Sequence, residues 1–275
     1  MPKASVIIRA KNEARFIGET LQALANQSER DHEVILVDSG STDGTLDIAR
    51  HFKVTIIEIR PEDFTYGYAL NVGMREARGE YLVSLSAHST PVDDGWLSSA
   101  LAGFTDRLVA GVYGREIPRP DASFADWFGA WISGTLSTKP NRLTSGMGFS
   151  NRNSAVRRSV WLNVPFDERL PGAEDLAWAR TIHRLGYAIT YQPSMAVYHS
   201  HRESLPKLLR RLRHDQPVIA RIALGFYDRP ELNRYPRSAS ADRAVLASPW
   251  ARLPGAGPPE GDFPAASHAD QAGHR

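Results

Sequence analysis

The stretch 5-SVIIRAKNE-13, followed after one helical pattern by 33-EVILVDSGSTDGT-45, decides the fold. Each piece is a short apolar, β-branched run that breaks at once into polar and glycine residues. Between them, Ile17, Leu21 and Leu24 fall on one face of a helix spanning 14–25. After them, Leu46, Ala49 and Phe52 repeat the pattern, and two further runs, Val54–Ile59 and Tyr81–Leu85, read as strands. Strands alternating with helices predict an α/β fold, a mostly parallel sheet with helices on both faces. Ligands of such sheets bind beyond the carboxyl ends of the strands. That singles out Ala10–Glu13, Asp38–Gly44, Arg60–Tyr68 and Ser86–Pro91.

Composition narrows the chemistry. The 275 residues contain no cysteine, which excludes disulfides, thiolate zinc sites and thiol nucleophiles. Any metal is then held by His, Asp or Glu. A net charge of +2 does not mark a nucleic-acid-binding protein. No apolar run approaches the roughly 18–20 residues that cross a bilayer. The expectation is a globular cytoplasmic protein.

The second part of the chain is harder to read. Residues 105–150 look irregular, apart from Phe124, Trp127, Phe128 and Trp131 on one helical face and a strand-like piece at Met147–Phe149. Such an aromatic stripe is more often packed core than a sugar-stacking or membrane-dipping surface. Helices are expected at Val156–Leu162 and Ala173–Leu185, then a strand ending at Ala196–His201 and a basic helix from about 203 to 225. From Pro236 onward, Ala, Pro, Gly and Ser supply 24 of 40 residues, so 236–275 reads as a disordered tail. One folded domain, 1–235, divides into halves at about residue 104.

Asp38 ends a strand, where a carboxylate accepts from a base N–H or a ribose hydroxyl; equally it is the acid of a plain strand–turn–helix connection. Neither GxGxxG nor GxxxxGK[ST] is present. Taken in order, SVIIRAKNE, EVILVDSGSTDGT and 69-ALNVGMREARGEYLVSL-85 resemble the nucleotide-sugar-binding half of family 2 glycosyltransferases, which have the Rossmann-like GT-A fold. The segments 149-FSNRNSAVRRSVW-161 and 172-GAEDLAWARTIHRLGY-187 resemble that family's acceptor-side strand and helix and its Glu-Asp region. The resemblance covers about residues 4–225. FTYGYALN and SLSAHSTP are most similar to rhamnosyltransferase-like members.

The resemblance implies a nucleoside-diphosphate sugar as donor and a glycan or lipid-linked saccharide as acceptor, with inversion at the anomeric carbon. It places Ala10, Lys11, Asn12 and Glu13 beside base and ribose, Asp38 on the base, and Asn71 near the diphosphate. For Asn71 and Arg75 the alternative is a solvated helix face. It makes Asp175 the general base and gives Glu174 a supporting part, although acids also favour a helix's first turn without any catalytic duty. The family's Asp-x-Asp metal motif is replaced here by Ser86-Ala87-His88. With both acids gone, His88, His199 and His201 are the candidates to hold Mn²⁺ or Mg²⁺, imidazole suiting manganese better. A protonated His88 without metal, or a purely structural one, are the alternatives. The lost motif also keeps open a non-catalytic nucleotide-sugar or glycan binder. The basic segment 205–224 either rests on the inner membrane face or docks back on the domain.

Overall fold

Alternate residues of the first strand, β1 (Ala4–Ala10), enter two different apolar clusters: Val6 and Ile8 belong to one, Ile7 to the other. A strand's side chains alternate between faces, so both faces of this sheet are covered. These features come from a computed structural model, which describes residues 1–132, 134–200, 213 and 216–227. The C-terminal tail, His201 and most of the expected basic helix lie outside the described residues.

Beside β1 lie β2 (His32–Asp38) and β4 (Tyr81–Ser86), with β3 (Thr55–Glu58) on the far side of β2, all parallel. Helix α1 (Ile17–Ala25) and the short α2 (Thr45–Ala49) join the one cluster through Ile17, Leu21, Leu24 and Ala49. Helix α3 (Tyr66–Glu76) packs Ala69, Leu70 and Met74 into the other. Gly73 lets α3 close in: a Cβ there would sit 2.6 Å from Ile7 Cγ2 and 2.9 Å from Val37 Cγ2.

The chain then adds β5 (Thr90–Pro91), α4 (Trp96–Ala102), β6 (Val109–Ile117), α5 (Phe124–Ile132), β7 (Asn141–Leu143), β8 (Asn153–Arg157), α6 (Arg158–Trp161), α7 (Glu174–Arg184) and β9 (Ala188–Tyr198). The sheet order is β3-β2-β1-β4-β8-β6-β9-β5, with β7 on β9. Strand β8 runs antiparallel to both β4 and β6, while β6 and β9 are parallel, so the second half of the sheet is mixed.

Four expectations need correction. Residues 105–150 are not irregular: β6 was masked by Gly111 and Gly114, which weaken a strand's signature. Gly114 is there because a Cβ would collide with the Met195 carbonyl of β9. Met147–Phe149 is not a strand; β7, just before it, pairs with β9. Residues 156–162 are not one helix, because Val156 and Arg157 complete β8 and only a single turn follows. The aromatic stripe does form a helical face, but not a core: Phe124 is 84% exposed and Trp131 70%.

Candidate active site at the strand ends

The loops after β1 and β2 are tied into one unit. Asn12 N–H donates to Ser41 Oγ at 2.8 Å, and Thr42 N–H donates to Asn12 Oδ1 at 2.8 Å. Glu13 N–H donates to Thr45 Oγ1 at 2.7 Å, and Ala14 N–H to Asp43 Oδ2 at 3.0 Å. Asp38 is fully buried, and its Oδ2 accepts from the N–H groups of Gly40 (2.9 Å) and Ser41 (2.8 Å) while Ser41 Oγ donates to Oδ1. This acid shapes the loop from beneath. Lys11 and Asn12 are exposed and Glu13 half-buried, so the loop's outer rim comes from β1.

Across the sheet, the Glu174–Asp175 pair opens α7 directly after Ala173, whose φ of +59° is strained for a residue with a Cβ. Among the described residues the only other non-glycine positive φ is Asn12, at +55°. Both such residues therefore border this one region, where stored backbone strain commonly marks a working site. Glu174 is 4% exposed. Its Oε1 accepts from Asn151 Nδ2 at 3.2 Å and pairs with Arg9 Nη1 of β1 at 3.4 Å. The Arg9 guanidinium lies 5.0 Å over the Tyr66 ring, a cation–π contact. Burial, reinforced by the adjacent Asp175 charge, pushes the Glu174 carboxyl up to about 7 despite Arg9 and Asn151. Asp175 accepts from Asn151 N–H at 3.2 Å and from Leu176 N–H at 2.8 Å.

The Ser86-Ala87-His88 segment follows β4. Ala87 is fully buried, its carbonyl accepting from Thr20 Oγ1 at 2.9 Å. His88 Nδ1 lies 2.8 Å from Glu13 Oε1, and the ring stacks on His199 with centroids 4.7 Å apart and planes inclined by 28°. His199 Nδ1 in turn lies 2.8 Å from Ser89 Oγ. A carboxylate behind an imidazole is how many metal-ligating histidines are oriented. Among the described residues no three His, Asp or Glu side chains form a group that could hold a metal ion. His88 and His199 alone do not supply the ligands of a chelated ion, and His201 lies outside the described residues.

Asn71 lies apart from this region in its bonding. It is 1% exposed; Nδ2 donates to the Phe166 carbonyl (2.8 Å) and Glu168 Oε1 (2.9 Å), while Oδ1 accepts from Trp161 Nε1 (3.0 Å) and Phe166 N–H (3.2 Å). Both donors and both acceptor positions of the amide are used, leaving none for a diphosphate. Arg9, Asn151, Arg152 and Tyr66 were not anticipated. The signal for Arg9 was a cation in an otherwise apolar strand covered on both faces; Tyr66, Asn151 and Arg152 lay in segments singled out by position or resemblance, without being distinguished within them.

The pattern of glycosyl transferase family 2 matches residues 5–162. The chain is 31% identical over 212 residues to the O-antigen chain rhamnosyltransferase WbaN of Salmonella anatum, covering 73% of this chain and 67% of that protein. It is 29% identical over 253 residues to the glycosyltransferase AglE of Haloferax volcanii, covering 85% and 78%. Among solved structures, the Pyrobaculum calidifontis mannosyltransferase PcManGT in complex with GDP-Man and Mn²⁺ superposes with a TM-score of 0.64 at 24% identity, over 91% of this chain and 72% of that one. Staphylococcus aureus TarS 1–349 in complex with UDP-GlcNAc gives 0.57 at 21% identity, over 74% and 59%. These neighbours share the GT-A fold, with the tied β1–β2 loops standing where this fold takes its ligands. The chain belongs to glycosyl transferase family 2 and is a glycosyltransferase similar to the O-antigen rhamnosyltransferases.

Proposed function

We propose that the protein moves a sugar from a nucleoside-diphosphate donor to a hydroxyl of a glycan or lipid-linked saccharide, with inversion and with Asp175 as general base. One observation carries this reading: Asp175 opens α7 beside a buried Glu174 that is bonded to Arg9 of the central strand β1. Asp175 takes the proton of the acceptor hydroxyl as its oxygen bonds to the anomeric carbon. The bond from that carbon to the diphosphate oxygen breaks on the opposite face, and the nucleoside diphosphate departs with the electron pair. A single base suffices when the leaving group is already a good one.

The loop rim of Lys11, Asn12 and Glu13 borders the base and ribose, with Asp38 holding the loop's shape. A polysaccharide of the cell envelope is the product class, by similarity to the O-antigen enzymes. A non-catalytic binder has no use for this acid pair, a buried Glu174 beside a part-exposed Asp175, and its retention favours catalysis. Asp175→Asn is expected to lower transfer by about 10²–10⁴-fold, the usual worth of a general base. Calorimetry should show nucleoside-diphosphate affinity unchanged within a few-fold. Transfer surviving in this variant would remove Asp175 from the mechanism.

A further inference from the structure

The place of the missing acidic motif is bracketed by cations. Ser86 is paired in register with Arg9 of β1, and on its other side its N–H donates to the Arg152 carbonyl at 3.1 Å. Arg9, Ser86 and Arg152 thus form one row across the strand ends, and all three are part-exposed, within reach of a ligand. Arg152 is held from behind: Nε donates to Ser150 Oγ at 3.1 Å, and Nη2 pairs with the buried Glu116 Oε2 at 2.9 Å. Its side chain keeps 37% of its surface open, whereas Glu116 keeps 6%. Arg9 pairs with one carboxylate oxygen of Glu174, at 3.4 Å, and lies over the Tyr66 ring, with 12% of its side chain open. The acid pair that would bind a cation is absent, and the serine in its place is flanked in the sheet by two arginines, residues of the opposite sign.

From this row we infer that Arg9 and Arg152 form a cationic cradle for the donor's diphosphate, taking the place of a chelated divalent ion. Guanidinium donors match phosphate oxygens in pairs and stay charged at any working pH. The cradle holds the diphosphate in the ground state and stabilises the negative charge it gains on leaving. The inference rests on the donor-site reading above.

Calorimetric titration with UDP, dTDP and GDP, each in EDTA and each in Mn²⁺, separates the two. At least one diphosphate is expected to bind in EDTA, with an affinity that Mn²⁺ changes by less than about threefold. Arg152→Ala is expected to weaken that binding tenfold or more, and Arg152→Lys by less. Binding that appears only with Mn²⁺, or that is unchanged in Arg152→Ala, overturns the cradle while leaving the donor site standing. No binding of any nucleotide in either condition overturns the donor site, and the cradle with it. The comparison of EDTA with Mn²⁺ uses the unmodified protein, so it decides even if a variant fails to fold.

Discussion

At the scale of single residues, Glu174 is a buried acid whose carboxyl is pushed up by that burial. Its unfolded reference is the ordinary carboxylate value, 4.5, and its folded value is raised to about 7. Between these limits the native state holds a proton that the unfolded state has released, so this group's contribution to stability is full below 4.5 and is lost as pH rises toward 7. Glu174→Gln is expected to flatten that decline, read as urea midpoints at pH 5 and pH 8. Asp167 behaves oppositely. Burial opposes its charge, but hydrogen bonds from Arg169 and from Tyr227 hold its carboxyl well below the usual range. Its contribution is present above the reference of 3.8 and is lost as pH falls through the lowered value. Asn71 illustrates what residue type alone conceals. The family resemblance implied a diphosphate contact, but its four bonds knit α3 to the 161–168 segment. Asn71→Ala strands the Trp161 and Phe166 N–H donors in the interior. It is expected to cost about 2–6 kcal/mol in thermal or chemical unfolding, at roughly 1–3 kcal/mol per stranded donor.

At the scale of elements, α5 and α7 are both amphipathic by pattern, yet only one is buried. In α7, Trp178, Ala179 and Ile182 lie inside the second apolar cluster, and Trp178 Nε1 donates to the Val164 carbonyl at 2.8 Å. In α5, Phe124, Phe128 and Trp131 stack on one another along the surface. Their periodicity is the same; what differs is whether another element lies opposite, which periodicity does not report. Trp178→Ala is expected to cost about 3–5 kcal/mol, whereas Trp131→Ser should shift stability by no more than about 0.5 kcal/mol. Unfolding both variants in denaturant checks this, and a comparable loss in Trp131→Ser would mean that α5 packs against something in solution. Strand β6 teaches a related lesson: of its glycines, unfavourable in an isolated strand, Gly114 answers to the close approach of β9 and Gly111 to the rings of Phe149 and Trp178.

At the scale of the whole molecule, the described C-terminal segment 216–227 closes onto the second half of the domain. Ile222 is fully buried, Arg180 Nη1 donates to the Ala223 carbonyl at 2.9 Å, and Tyr227 Oη donates to Asp167. Tyr227→Phe is expected to destabilise by about 1–3 kcal/mol, the worth of a hydrogen bond to a charged group, seen as a lowered thermal midpoint. Much of the molecule was legible beforehand. The parallel half of the sheet, its helices and its ligand-facing ends follow from short apolar runs broken by polar turns, because period and turn chemistry act within a few residues. The Glu174–Asp175 pair and the replaced acidic motif were legible by resemblance, since they are contiguous stretches. What only the tertiary structure decided was partnership across the chain. Arg9 meets Glu174 over 165 positions, His88 stacks on His199, Asn71 is consumed by packing, and Arg9 and Arg152 flank Ser86. Local sequence sets which conformation each segment prefers; which side chains then share a buried space, and so which charges are compensated, is set by strand order and register.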